Sequence, residues 1–358
     1  MRTLTILLTL SLAGVAPVGL AAPELCDQTP DPARWEDVGT PDPPREHLRI
    51  MVHRGAANLA PENTIPAFEY AIAYGMDLIE IDVQQTADGR YVLFHDLEVD
   101  GKTDGSGYIF TMTYDEARAL NAADNDKWRG SEYDPTPVAA LEDALAIASE
   151  HGVGLAFDLK ESVWNAAGVA LLASQYPGVI ERSIFQPYVP GRTEQILAVA
   201  SDATIMFNNQ FEDTPPAVLY ALGQEYDAFG SSMPNYPPEA VAAIHDACDI
   251  VLPNVYQGDV TGSEAGDLAY ARSIGTDGAM VNNPEVAADV LDRPVATRID
   301  IDAEAGTACL LGVEDFGLPG KVLEQGDVTD TTRRGGCVPW LGGTVTFAGD
   351  GSALPSAA

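Results

Sequence analysis

Lysine is scarce in this sequence: Lys102, Lys127, Lys160 and Lys321 are the four in 358 residues. Against 54 Asp and Glu stand 19 Lys and Arg, a formal net charge of −35. So acidic a surface repels nucleic acid and anionic lipid headgroups, so no nucleic-acid partner is expected. It favours solubility where salt screens strongly, and an anionic substrate would need a local cationic site. Cysteine is also sparse. Cys26, Cys248, Cys309 and Cys337 form no CxxC pair and have no histidine close by, which sets a thiolate zinc site aside. Beyond the N-terminus there is no run of 18 or more apolar residues, so no stable membrane insertion of the mature protein is expected. No internal repeat is visible.

The beginning of the chain differs. Met1-Arg2, an apolar stretch from Leu4 to Leu20 and small residues at Ala21 and Ala22 read as a signal peptide over residues 1–22. An uncleaved membrane anchor is the alternative. Export, to a periplasmic or secreted location, makes disulfides permissible, and of three connectivities a Cys309–Cys337 pair is favoured because both lie in the tail. Residues 23–46, rich in Pro, Asp and Glu, read as an irregular segment.

From His47 to about residue 295 strands and helices alternate, the pattern of a parallel α/β fold. Strands are expected at 48–52, 78–83, 91–94, 154–159, 183–185, 204–207, 228–231, 250–252 and 279–281. Helices are expected at 64–74, 137–150, 165–175, 192–200, 215–224, 238–247 and 264–274. This count fits a (β/α)8 TIM-type barrel better than an open sheet. Strands 78–83 and 91–94 are too close for a parallel crossover, so a hairpin at Asp88-Gly89 is expected and the barrel should be irregular there. Residues 296–358 are Gly-rich and acidic with Val- and Thr-bearing stretches, and read as a small β-rich appendage.

Polar groups concentrate on the early strands. His53 and Arg54 end the first strand, and Glu62 and Asn63 precede the first helix, where Asn63 or Thr64 could serve as N-cap. Glu80 and Asp82 are two apart on a strand and so share a face, as do Asp158 and Lys160. Two carboxylates inside a barrel are costly unless a cation joins them. With Asp158 they make an all-oxygen set suited to Mg²⁺ or Ca²⁺, and Lys160 is a cationic partner for phosphate. His95 ends the third strand, and the hairpin register is expected to bring it close to Glu80. Taken singly, each residue has a plainer reading as a strand-end polar group, a solvated edge pair or a helix cap. Together they sit at the C-terminal strand ends, where barrel active sites are built. His47, His151 and His245 lack such company and read as structural or solvent-facing.

The string His53-Arg54-Gly55, Pro61-Glu62-Asn63-Thr64, Ala67-Phe68, Gly75, Glu80-x-Asp82-Val83, Thr86-x-Asp88-Gly89 and His95-Asp96 resembles the glycerophosphodiester phosphodiesterases. A weaker likeness extends to about residue 290, through Asp158-x-Lys160, Asp277-Gly278 and Asn282-x-Pro284. The resemblance implies a divalent metal and hydrolysis of small-molecule glycerophosphodiesters to sn-glycerol 3-phosphate and an alcohol. It implies His53 and His95 as the acid–base pair, their order open, and Glu80 and Asp82 as metal ligands. Arg54 is implied on the phosphate with Lys160 beside it, and Glu62 and Asn63 behind the ligands. The sequence departs in three places. Asp158 stands for the usual Glu, Val251 to Val255 lacks the expected Trp, and Gly101 replaces an Arg. Lysophospholipase D or phospholipase C-like activity on lipid phosphodiesters is the near alternative, and an inactive exported binding protein the distant one.

Overall fold

The computed structural model describes residues 48–208, 226–246 and 249–291, with strand residues 298–302, 307–311, 337–339, 346–347 and 353–354. The signal-peptide and tether segments, the helix expected at 215–224, Cys26 and Cys248 lie outside the described residues.

Eight parallel strands among them run β1 (Arg49–Val52), β2 (Leu78–Gln85), β4 (Gly154–Leu159), β5 (Ile184–Gln186), β6 (Thr204–Asn208), β7 (Ala228–Gly230), β8 (Ile250–Val251) and β9 (Gly278–Val281). Their spatial order is β8-β7-β6-β5-β4-β2-β1-β9. The ends meet through a bridge between Asn254 and Met280, with Val255 N donating to Met280 O at 2.9 Å. The strands therefore close into a (β/α)8-type barrel. Outside it pack α1 (Ile65–Ala73), α2 (Tyr114–Arg118), α3 (Leu141–His151), α4 (Ala166–Ala173), α5 (Val179–Arg182), α6 (Arg192–Leu197), α7 (Pro238–His245), α8 (Glu264–Ser273) and α9 (Pro284–Leu291).

The expected hairpin is present: β3 (Tyr91–Leu93) runs antiparallel to β2 around Gly89, whose φ of +83° is a conformation glycine adopts freely. The ladder stops short of His95. Val83 pairs with Leu93, the last ladder bond joins Phe94 N to Asp82 O at 2.9 Å, and the charge of His95 acts on Asp82. A correction concerns α3, which starts at Leu141 rather than 137. Residues before it stay extended because Leu93 N donates to Ala139 O and Ala140 bridges Val92. The short α2 and α5, and α9 after its Pro284, have no counterpart in the sequence reading.

Period-two alternation sorts the strand side chains. Ile50, Val52, Ile79, Ile81, Val83, Leu155, Phe157 and Phe185 face the helices in the main core. Met51, Leu78, Ala156, Ile184, Met206, Ala228, Leu252 and Met280 point inward and form a separate apolar plug. Each fully buried aliphatic or aromatic side chain is worth about 1.5–3 kcal/mol. One step further along the same inward faces the residues turn polar: His53, Glu80, Asp158, Gln186 and Asn282. The plug thus forms the floor beneath a polar layer at the C-terminal strand ends, as barrel enzymes are built. No helix among the described residues is long and apolar enough to cross a membrane.

In the tail, β10 (Arg298–Asp302), β11 (Thr307–Leu311) and β12 (Cys337–Pro339) form an antiparallel sheet in which Cys309 and Cys337 are register partners. β13 (Thr346–Phe347) pairs with β14 (Ala353–Leu354).

At the opposite mouth of the barrel a recurring cap ties strands together. Asp77, Ser183, Asp227 and Asp277 each directly precede a strand. Each accepts an amide hydrogen from the neighbouring one: Ile50, Leu155, Ile205 and Val251, at 2.7–2.9 Å. Asp249 occupies the equivalent place before β8, but its Oδ2 is buried without a partner. Burial, reinforced by the charge of Asp227, pushes the Asp249 carboxyl up to about 7. A carboxyl that holds its proton more tightly folded than unfolded favours folding at low pH. That advantage declines as pH rises from about 4 and is gone above about 7. Asp249→Asn is therefore expected to raise stability at pH 8, by on the order of 1–4 kcal/mol, and to change little at pH 4. Paired denaturant melts at the two pH values check this, and an equal effect at both would refute it.

Candidate active site

The turn after β1 is built from two consecutive left-handed residues, Arg54 at φ 55° and Gly55 at φ 71°. A Cβ on Gly55 would come within 2.9 Å of Phe68 Cδ1 and 3.0 Å of the Ala67 backbone, so only glycine fits. The turn aims the Arg54 amide at Glu80, whose Oε2 accepts at 2.7 Å. Asn63, also left-handed at φ 58°, does not cap α1. Its Nδ2 donates to Asp82 Oδ2 at 2.7 Å while its Oδ1 accepts from Asp82 N at 3.0 Å. Thr64 takes the N-cap position without a side-chain capping bond, its hydroxyl donating instead to Pro61 O.

In-register pairing of β2 with β4 sets Asp82 beside Asp158. Glu80, Asp82 and Asp158 each offer an oxygen within 4.8 Å of the others. Two cations interleave with them. Lys160 Nζ lies 2.7 Å from both Asp82 Oδ1 and Asp158 Oδ2, and Arg54 Nε lies 3.2 Å from Asp82 Oδ2. Arg54 Nη1 also donates to Glu62 Oε2 at 3.0 Å. Burial works against charge on Arg54 and Lys160, but the carboxylates outweigh it and hold both cations protonated.

The carboxylates separate by company. Burial opposes charge on Asp82, yet Lys160 and Arg54 override it and keep its carboxyl below the usual range. Glu80 is driven well above that range by burial and by the charges of Asp82 and Asp158. Burial, then the charge of Asp82, raises Asp158 to about 7. Three carboxylates against two cations leave the buried cluster short of positive charge, and Asp158 Oδ1 is buried without a partner. An all-oxygen donor set with a charge deficit and a free oxygen fits a hard divalent cation.

The two histidines stand on either side and differ. His53 is stacked on Tyr256, centroids 4.8 Å apart and planes within 2°, and its Nδ1 lies 2.9 Å from Asn282 Oδ1. An amide oxygen only accepts, so Nδ1 carries the hydrogen and Nε2 the lone pair. Burial, then the Arg54 charge, lowers the His53 imidazole to about 4. His95 is one-third exposed, with Nδ1 2.5 Å from Asp96 Oδ1. It lines a cavity of about 630 Å³ together with Asp158, Lys160 and two tyrosines.

All nine residues proposed from sequence thus converge on one rim, His53, Arg54, Glu62, Asn63, Glu80, Asp82, His95, Asp158 and Lys160. Sequence reading missed Tyr256 as a site residue. The expected aromatic was sought at Val251 to Val255, one residue short of the one that stacks on His53. Asn282 was legible as motif text, without its role.

Residues 53–167 match the Glycerophosphoryl diester phosphodiesterase family. Glycerophosphodiester phosphodiesterase 1 of Bos taurus is 32% identical over 148 residues, 41% of this chain and 44% of that protein. A glycerophosphodiester phosphodiesterase of Bacillus altitudinis is 33% identical over 125 residues, 34% of this chain and 49% of that one. The chain spans about half the length of these curated relatives. Among solved structures, a glycerophosphodiester phosphodiesterase from Agrobacterium tumefaciens superposes with a TM-score of 0.59 at 22% identity, covering 68% of this chain and all of that one. A phosphodiesterase from Oleispira antarctica, in complex with the product sn-glycerol-3-phosphate, gives 0.59 at 23%, covering 68% and 96%. At such identities the likeness to the solved structures is one of fold.

Asn63 carries a prediction of its own. Asn63→Ala removes both bonds to Asp82 and strains a left-handed position, so stability should fall by about 1–3 kcal/mol. Asn63→Asp, which keeps the backbone but sets a second anion against Asp82, should be at least as costly. Equilibrium unfolding of both variants checks this, and a shift below about 0.5 kcal/mol for both would refute it.

The match over residues 53–167, with the fold of the barrel that continues from it, makes this chain similar to the glycerophosphoryl diester phosphodiesterase family.

Proposed function

We propose that this protein is a metal-dependent hydrolase that cleaves glycerophosphodiesters to sn-glycerol 3-phosphate and an alcohol, using His53 and His95. The observation that carries the reading is the convergence of an oxygen triad, two buried cations and two unlike histidines on one rim. Phosphodiesters resist hydrolysis because their charge repels nucleophiles. Mg²⁺ or Ca²⁺ held by Glu80, Asp82 and Asp158 would supply charge neutralisation for the phosphoryl oxygens. Arg54 adds a fork of donors and Lys160 a point charge, both fixed before substrate arrives.

The difference between the histidines favours an order for proton transfer. His53 is neutral at pH 7, with Nε2 as the free acceptor, which suits a general base on water or on the glycerol hydroxyl. His95 keeps Nδ1 against the Asp96 carboxylate, which leaves Nε2 as the ring atom to deliver a hydrogen to the leaving oxygen. Lysophospholipid phosphodiesters are the second reading, favoured by exposed Leu97 and Tyr108 lining the cavity, with exposed Phe110 against Tyr108. Export through the 1–22 segment, to the periplasm or the medium, and a Cys309–Cys337 disulfide belong to the same proposal. The facing register of the two cysteines supports the latter.

Steady-state assays on glycerophosphocholine, glycerophosphoethanolamine and a lysolipid test the reading. His53→Ala and His95→Ala should each lower kcat about 10²–10⁴-fold. The double variant should be little worse than either, since the two act as a unit. A nitrophenyl phosphodiester, whose leaving group needs no proton, should restore His95→Ala and not His53→Ala. Near-normal kcat for both single variants would overturn the catalytic pair, and rescue of His53→Ala alone would reverse the order.

A further inference from the structure

The cavity beside His95 has a chemistry that the hydrolytic reaction does not use. Two of its walls are exposed tyrosines from different parts of the chain. Tyr108 sits on a small hairpin in which it bridges Glu98, with Ile109 N donating to Leu97 O at 2.9 Å, and the Glu98 carboxylate acts on its hydroxyl. Tyr188 follows β5, with its hydroxyl 3.2 Å from Gln186 Oε1 in the polar layer of the barrel. Around them stand Glu98, Glu161 and Asp96. The one lysine lining the cavity, Lys160, is already committed to Asp82 and Asp158. Neither Glu98 nor Glu161 forms a salt bridge among the described residues, so the cavity has unspent negative charge and aromatic faces.

Aromatic rings with carboxylates nearby are the general recognition chemistry of ammonium groups, quaternary ones above all. The net charge of −35 acts in the same sense: it repels a phosphodiester that carries a net negative charge and tolerates one whose headgroup cancels the phosphate. Because the cavity is lined by His95, whatever fills it lies beside the group assigned to the leaving oxygen.

We infer that this cavity binds the leaving alcohol and selects a cationic one, so that the preferred substrates are zwitterionic phosphodiesters with an ammonium headgroup. Tyr108, Tyr188, Glu98 and Glu161 are the specificity residues, the tyrosines by their faces and the carboxylates by their charge. The inference rests on the phosphodiesterase reading above and on His95 as the acid.

The test compares kcat/KM for glycerophosphocholine, whose headgroup is cationic, with that for glycerophosphoglycerol, whose headgroup is neutral. The protein should prefer the former by at least about 10-fold, from one or two cation–π contacts plus charge. Glu98→Gln, Glu161→Gln and Tyr188→Leu should each reduce that preference about 3- to 10-fold. The change should fall on glycerophosphocholine and appear mainly in KM, with unchanged melting temperatures showing that the variants fold. Comparable turnover of both compounds by the unaltered protein, or variants that slow both equally, would overturn the inference and leave the hydrolase standing. Turnover of neither would overturn the proposed function and the inference with it.

Discussion

Asp82 is a nearly inaccessible carboxylate, and the order of this barrel's upper face depends on keeping it ionised. Burying a lone carboxylate costs several kcal/mol even after relaxation. Here the cost is met by four partners that arrive from three segments. Asn63 and Arg54 come from the β1–α1 connection, Lys160 from the end of β4, and His95 from beyond β3. Each partner is thereby located by Asp82 as much as Asp82 is stabilised by it. That reciprocity explains why a loop with two consecutive left-handed residues and a third at Asn63 keeps one conformation.

The same charge network sorts the neighbours. Having spent Lys160 and Arg54 on Asp82, the cluster leaves Glu80 and Asp158 under-compensated, and both are pushed toward protonation. A cation with two charges removes that frustration, so the carboxylates and the proposed metal belong to one balance. Arg54 also acts outward, since its charge adds to burial in keeping His53 neutral. Tyr256 and Asn282 then hold the imidazole in one plane and one tautomer. His95, more exposed and paired with Asp96, meets a different environment, and two histidines in unlike surroundings suit opposite roles in proton transfer.

Much of this was legible in the sequence because it depends on period-two alternation and on spacing. Glu80-x-Asp82 and Asp158-x-Lys160 were readable as inward pairs, and the plug beneath them follows from the same alternation. What was not legible depended on three-dimensional choices made elsewhere. Strand pairing in the hairpin ends at Leu93, so the place of His95 beyond it is set by the turn that follows and not by ladder spacing. Residues 137–140 read as helix by their apolar content but stay extended, Ala139 and Ala140 pairing with β3 and Pro137 and Val138 with Leu120 and Asn121. Asn63 looked like a helix cap, and only the approach of Asp82 gives its amide a larger task. Tyr256 lies just past the strand where an aromatic was expected, a displacement that spacing alone does not reveal.

Calorimetric titration of the metal-free protein with Mg²⁺ and with Ca²⁺, repeated in buffers of different ionisation enthalpy, measures the central claim directly. With Glu80 and Asp158 held above their usual range when no cation is bound, binding must expel protons, and apparent affinity must weaken as pH falls from 8 to 6. One site per chain, proton release that grows as pH is lowered toward 7, and loss of both in Glu80→Gln are the results this account predicts. No binding of either ion at millimolar concentration, or binding without proton release that survives Glu80→Gln, would contradict it.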